Sequence, residues 1–484
     1  MIGPWLEARV SAEVVTPLHV GAGASGVVKG ARSLVERSTG VLDAAPEDVE
    51  VALVVADADG APVIPGSSLK GAARRLFPRD AAERELLFGP EAIVAPEDAR
   101  AGRLTIFPAR LANPSRAEAE WAPYAYFPLP DPVEGPVAAR NRSHWEVGLF
   151  IESRTALDPA WGTAAEGRLF HRQMVAPGAV FTIRLGLVRP DEAGRDALLR
   201  LLAALPQGVS LGAGAGDDHG RLRVQANSLH VLDRRVAAGK GLEVHDVTAE
   251  WTKRLAGIDA PAPTIRPARS TRLRLVGKGP FLVNDAFAGH ARAEATRAAP
   301  EADEAAATGA GVPPPHLQGL RALDADQETP RLPASSLRGA LRALARWRQL
   351  LEPEGWGDDP DKVYDARRDV ALSPSEVLFG VAGWRGLIRI EEPVCAGFAG
   401  WEELTSVRID RFGGGPVDGG LFAVRAAVDP VFETTLSVAS RGTAPDKACL
   451  ALFDAVVKEL VETGLELGHA TNRGFGWFDA EPLA

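Results

Sequence analysis

A chain of 484 residues, 46% hydrophobic and 24% charged, is too long for one hydrophobic core and divides naturally into two domains of roughly 240 residues each. No apolar run reaches membrane-spanning length, and the N-terminus carries Glu7 and Arg9 where a secretory signal needs an unbroken apolar core, so a cytoplasmic protein with no membrane partner is expected. The formal charge of −10 argues against a protein that wraps nucleic acid indiscriminately, and Cys395 and Cys449 alone make neither a disulfide framework nor a zinc site, so both read as buried free thiols.

Along the chain, the first distinctive segment is Pro17-Leu18-His19-Val20-Gly21-Ala22-Gly23, a strand end running into a glycine loop. Next comes Pro65-Gly66-Ser67-Ser68-Leu69-Lys70-Gly71-Ala72-Ala73-Arg74, a proline-led turn, two hydroxyls and a helix start. Helical i,i+4 spacing sets Lys70 and Arg74 on one face, beside free backbone N–H groups and the positive end of the helix dipole, an arrangement suited to phosphate. Leu87-Phe88-Gly89 and a short apolar strand at 104–107 follow. Residues 113–147, with Trp121, Tyr124, Tyr126, Phe127, Pro128 and Pro130, read as a long excursion from the first domain. Then come Arg154-Thr155-Ala156-Leu157-Asp158, Gly162, Gly167-Arg168-Leu169-Phe170, an apolar strand at 181–188, helical periodicity at 198–205 and a glycine-rich loop at 211–221.

The same landmarks recur in the same order, which makes the chain a duplication. Pro333-Ala334-Ser335-Ser336-Leu337-Arg338-Gly339-Ala340-Leu341-Arg342 answers the first helix start. Leu378-Phe379-Gly380, a strand at 387–390, Arg408-Ile409-Asp410-Arg411, glycines 413–415, Gly420-Leu421-Phe422, a strand at 422–428 read as the counterpart of 181–188, a helix at 450–460 and a glycine loop at 467–476 complete the second copy. The expected domains are 1–235 and 266–484, joined by a linker at 236–265. The Ala/Glu/Gly/Pro-rich stretch 291–315 reads as a flexible insertion. Basic clusters at 65–75 and 331–348 contain no acid, whereas 42–59, 83–99 and 291–304 are acidic, giving a basic track on an acidic body. Strands alternating with two helices per unit point to an α+β fold, a ferredoxin-like βαββαβ core with an antiparallel sheet in each domain. Ser67, Ser68, Ser335 and Ser336 with Lys70, Arg74, Arg338 and Arg342 suit RNA phosphates and read no base edge; the bland alternative makes Ser67 and Ser335 helix N-caps.

These residues resemble the RAMP superfamily of CRISPR-associated proteins. The resemblance rests on residues 17–23, on Pro62-Val63-Ile64-Pro65-Gly66-Ser67-Ser68-Leu69-Lys70-Gly71, on Arg408-Ile409-Asp410-Arg411 with its glycine triplet and Leu421-Phe422, and on Asn472-Arg473-Gly474-Phe475-Gly476. It is closest to the backbone subunits of type III effector complexes, and two such units in one chain resemble the tandem-fused subunits of type III-D complexes. The resemblance implies an antiviral-defence ribonucleoprotein of RRM-like domains stacked along a crRNA. Each unit would carry a thumb hairpin that interrupts the pairing of guide with target RNA, and other RAMP subunits would be its neighbours. Residues 113–147 lie where such a hairpin would emerge, and Arg408, Arg411 and Arg473 join the RNA-binding set. In cutting members of the family an aspartate lies six residues before an Asp-x-Asp-Gly turn. Counting back from Asp57 gives Val51, with Glu50 beside it and Asp48 near; counting back from Asp324 gives Gln318, with His316 near. Glu50, Asp48 and Asp285 are therefore the carboxylates available for target cleavage, with Mg2+ needed only in that case and no permanently bound cofactor. Binding without efficient cutting is the expectation. Two further readings are a RAMP endoribonuclease that processes precursor guide RNA through His19, for which a structural role is the bland alternative, and a non-catalytic protein scaffold.

Overall fold

A computed structural model describes residues 5–28, 49–76, 81–90, 100–113, 148–157, 164–237, 241–258, 267–284, 317–319, 329–351, 362–440 except 366, 368 and 369, and 445–483. Two hydrophobic cores organise them. Leu6, Val10, Phe181, Leu198, Leu222 and Trp251 belong to the first, and Leu275, Phe281, Leu337, Phe432, Phe453 and Phe478 to the second. In the second core the Phe281 ring meets Phe432 and Phe478 edge-on, at centroid distances of 5.6 and 5.2 Å.

Each core is built by the same succession of elements. In the first unit these are β1 (Trp5–Val14), α1 (Gly66–Leu76), β2 (Leu104–Ile106), β3 (Val180–Val188), α2 (Glu192–Ala204) and β4 (Arg221–Val224). In the second they are β5 (Pro267–Lys278), α3 (Ala334–Leu350), β6 (Ile388–Ile390), β7 (Val431–Ala439), α4 (Lys447–Thr463) and β8 (Trp477–Leu483). Antiparallel pairing sets β1 between β3 and β4 with β2 beyond β3, through Ala8↔Leu185, Ala12↔Val224 and Leu104↔Leu187. The second sheet repeats the order, through Leu275↔Phe432, Leu275↔Ala480 and Ile388↔Val438. The expected α+β architecture of two tandem units with antiparallel sheets is present.

Sequence period decides which faces are buried. Phe432, Thr434, Leu436 and Val438 alternate inward along β7, a period of two that only a strand turns to one side. Cys449, Phe453, Val456 and Leu460 are buried at helical spacing along α4, whose start is capped by the Asp446 carboxylate accepting from Ala448 N–H. The Glu7 side chain of β1 is fully buried, and Arg9, Arg184 and Arg234 close around it. An unpaired carboxylate there would be untenable, so these arginines are a condition of the strand's position.

Beside each main sheet lies a second one carrying a long hairpin. In the first unit Leu149–Leu157 and Ala164–Val175 pair antiparallel, and Val49–Val54 runs parallel to the returning strand with Val51 opposite His171. In the second, Gly400–Ile409 pairs with Pro416–Val428, and Leu317–Gln318 runs parallel to the latter with Leu317 opposite Val424.

Four sequence expectations are corrected here. Residues 422–428 belong to the hairpin's returning strand, and the counterpart of β3 is β7, because Arg154↔Phe170 matches Ser406↔Phe422 while β7 holds the central position of β3. In that register Leu317 answers Ala52, so Gln318 answers Leu53 and not Val51. The expected linker at 236–265 holds the strand Gly241–Asp246 and the helix Thr248–Ala256, whose Trp251 is fully buried in the first core. Of the two thiols only Cys449 is buried, which pushes it up to about 11; Cys395 is half-buried. Residues 114–147, the insertion 291–315, Asp48, Asp285, His316 and Asp324 lie outside the described residues.

Candidate nucleic-acid interface

The helix starts differ from simple caps. In α3 the N-cap is Pro333, which has no side chain to accept a hydrogen bond, and Ser335 and Ser336 lie within the first turn. Pro65 takes the same place before α1, its carbonyl accepting from Leu69 N–H at 3.1 Å as Pro333 does from Leu337 at 3.4 Å. Neither helix has an acidic residue in its first turn. Proline at the N-cap place supplies no side-chain acceptor of its own to the first amide donors, and two serine hydroxyls lie beside them. Gly66 is required by packing, since a Cβ there would strike the Ile106 carbonyl.

The two starts are not equally open. In the second unit Glu392 Oε2 accepts from Ala334 N–H at 3.0 Å and its Oε1 accepts from Arg331 Nε at 2.7 Å, so a carboxylate already occupies the helix start. In the first unit Pro108 stands at the matching position after β2 and supplies no carboxylate. Lys70 and Arg74 share a face of α1 as the spacing predicts; both are half-buried, and Arg74 Nη2 is covered without a hydrogen-bond partner.

Arg338 has a specific partner that the sequence reading does not show. Its Nε donates to Asp217 of the first unit's glycine loop and its Nη2 to the Ile388 carbonyl at 2.9 Å. Asp217 also accepts from Arg154 Nη1 at 3.1 Å, and Arg154 donates to Glu152 at 2.8 Å and to His219 Nε2 at 2.9 Å. The neighbouring Asp218, only 1% exposed, binds Arg389 Nη2 at 2.8 Å and lies 3.3 Å from Arg221. Burial pulls the Asp217 carboxyl upward, yet Arg338 and Arg154 outweigh it and hold the group below its ordinary range. The glycine loop of unit one is thus the junction with unit two, and Arg338 serves that junction.

At the tip of the second hairpin, Asp410 Oδ1 accepts from Phe412 N–H at 2.9 Å, and Asp410 N–H donates to the Gly415 carbonyl at 2.8 Å. This fixed turn lifts Phe412 to 86% exposure, with the Arg411 guanidinium 4.9 Å from its ring centroid. Arg408 and Ile409 are exposed on the same arm. Phe412 was missed in the sequence, although an aromatic set in a glycine turn has no core to enter. Arg473 is exposed in the second glycine loop, 5.5 Å from the Phe422 ring centroid.

Among the catalytic candidates Glu50 is exposed on its strand and accepts from the Ser25 hydroxyl. No cluster of three or more His, Cys, Asp or Glu suited to a metal ion is found among the described residues. His19 is buried, its Nδ1 2.7 Å from the Gln173 carbonyl, and burial holds it below the ordinary histidine value. Asp57 organises the turn before α1, accepting from Asp59 and Ala61 N–H at 2.9 and 3.0 Å. Among the described residues no helix is long and apolar enough to cross a membrane.

No curated protein matches the chain. Among similar solved structures is a chain of the cryo-EM structure of the Type III-B Cmr-beta bound to cognate target RNA, with 15% identity, 45% of this chain and 96% of that chain covered, and a TM-score of 0.30. The family model of the RAMP superfamily matches residues 11–222 and again 289–479, one match for each of the two units. This chain belongs to the RAMP superfamily.

Proposed function

We propose that this protein is a backbone subunit of a type III CRISPR effector complex, in which its two units bind consecutive stretches of crRNA and present them to target RNA. The observation that carries the reading is the duplicated RAMP unit in which each proline-led helix start is followed by paired serines and two cations at i,i+4 spacing. Such groups bind phosphate and ignore base identity, which suits a guide whose sequence changes from complex to complex.

The remaining parts fit that role. The main sheets are the RRM-like platforms of the reading, and the hairpin Gly400–Ile409/Pro416–Val428 is the second unit's base-displacing arm, with Phe412 as the stacking group and Arg411 and Arg408 on the phosphates beside it. Its counterpart in the first unit is Leu149–Leu157/Ala164–Val175. Lys70 and Arg74 hold phosphate in the first unit. In the second, Arg342 does so, while Arg338 divides its donors between the junction and the guide. Glu50, held by Ser25, is a poor catalytic group, so the subunit binds target RNA without efficient cutting; any cleavage would draw on Mg2+ with Asp48, Glu50 or Asp285.

The test is to reverse Lys70, Arg74, Arg338 and Arg342 to Glu and measure RNA binding across a salt series. The expected result is a large loss at low salt that narrows as salt rises, since each phosphate contact releases counterions. Unchanged binding at low salt contradicts the proposal.

A further inference from the structure

The two glycine loops are the same object with opposite chemistry. Their frames match bond for bond: Leu211 N–H to Gly220 O at 3.0 Å answers Leu467 to Gly476 at 2.8 Å, and Gly220 to Pro17 answers Gly476 to Pro280, both at 2.8 Å. Ala213 to His19 at 2.9 Å answers His469 to Leu282 at 2.6 Å. Gly214 and Asp218 are left-handed in the first loop, Ala470 and Gly474 in the second. This register equates Gly216 with Asn472, Asp217 with Arg473, and Asp218 with Gly474.

The receiving faces match in the same way. Arg338 on α3 corresponds to Lys70 on α1, Arg389 on β6 to Thr105 on β2, and Glu392 to Pro108, the strand registers being fixed by Ile388↔Val438 and Leu104↔Leu187. Within the chain, Asp217 meets Arg338, and Asp218 meets Arg389 at 2.8 Å and the Glu392 N–H at 3.5 Å. If a second copy stacked by repeating this contact, Arg473 would face Lys70. Gly474 would offer Thr105 no carboxylate, and Pro108 would have no N–H to donate. Gly216 also matters, because a Cβ there would collide with the Arg338 guanidinium, and Asn472 has one. These three contacts of the described junction are lost or made repulsive at the outer ends.

We propose that the second unit's loop, with Arg473 at its apex, docks on a different protein subunit that presents an Asp or Glu where this chain presents Arg338 and Lys70, and that the chain does not stack on copies of itself. The loop is exposed at Asn472, Arg473 and Gly474, whereas Asp217 and Asp218 are covered by the second unit, so continuity with the internal junction identifies a protein face as the occupant. Head-to-tail contacts that repeat without closing build open filaments, and inverting the charge at one end stops that growth after a single chain. The proposal rests on the reading of this chain as one subunit of a larger complex.

The test uses Arg473→Lys, which keeps the charge and adds an amine, in the complex assembled from its native gene neighbours, treated with a zero-length carbodiimide. The expected product is an amide between residue 473 and an Asp or Glu of another protein chain, with no salt-sensitive self-association of the wild-type chain in sedimentation. A cross-link to a second copy, ultraviolet coupling of residue 473 to RNA with no protein cross-link, or no product at all overturns the proposal. The RNA content of the same preparation is read by absorbance. A complex that gives the cross-link but carries no RNA contradicts the guide-binding reading and leaves the docking intact.

Discussion

Lys70 and Arg338 occupy the same place after paired serines, yet among the described residues only Arg338 is tied to a carboxylate of the other unit. Sequence shows the matching cations because repetition is local. It hides the engagement of Arg338, because Asp217 is brought to it only by folding. The signal that was available is the exchange of Asp217 for Arg473 between loops that share the Leu-Gly start and the closing glycine. At the same scale, His19, His171, His219 and His469 are each held below the ordinary value of 6.5, burial being the largest cause in every case. A histidine whose folded value is depressed resists the proton that the unfolded chain accepts, so its stabilisation is complete above about pH 6.5 and declines as pH falls below it. The melting temperature is therefore expected to drop between pH 7.5 and pH 5.5. His219→Phe, which installs the residue found at the matching position 475, should flatten part of that slope; an unaltered slope would show that His219 does not contribute. For the carboxylate candidates, an assembled complex given matched target RNA and magnesium should show no efficient cuts at the positions this subunit covers. Cuts there that vanish on Glu50→Ala or Asp285→Ala would make the protein a nuclease and name the group.

Among elements, strands and helices with strict periodicity, such as β3, β7 and α4, are readable because burial of one face imposes the period. The hairpins are harder, since their outer portions have no core to set a period. The returning strand Pro416–Val428 shares its apolar stretch 421–428 with the pattern of a core strand, which is why it can be mistaken for the counterpart of β3. The secondary structure between 236 and 258 escapes notice for a related reason: its strand is exposed along most of its length, and Trp251 is its one fully buried side chain among the described residues, with Val247, Leu255 and Ile258 packed against the core beside it. The exposed tip of the second arm yields a direct prediction. Phe412→Ala should leave the melting temperature nearly unchanged, because the ring buries little surface, and should weaken target-RNA binding of the assembled complex by roughly 1–3 kcal/mol, the range for loss of one base–aromatic stack. Equal affinity in wild type and variant would remove Phe412 from the RNA interface.

For the whole molecule, the described junction between the units joins charged groups, Asp217 to Arg338 and Asp218 to Arg389. Asp217→Ala strands Arg338 and Arg154 beside each other with one carboxylate fewer, and removing one member of a largely buried pair costs roughly 3–5 kcal/mol. Calorimetry should then show the units melting in separate transitions where the wild type melts more cooperatively; one unchanged transition would mean that other contacts join them. Since Asp217 is held below its ordinary range, the junction's stabilisation is present above about pH 4 and lost as the pH falls through the depressed value. A junction of this kind fixes the spacing between the two helix starts, and with it the path of any RNA that crosses both units. The measurement that addresses the central claim most directly is sequencing of the RNA retained after nuclease digestion of the complex purified from cells that express this chain with its neighbours. The account predicts protected fragments that map to CRISPR arrays. A preparation without RNA, or fragments drawn from transcripts at large, would contradict it.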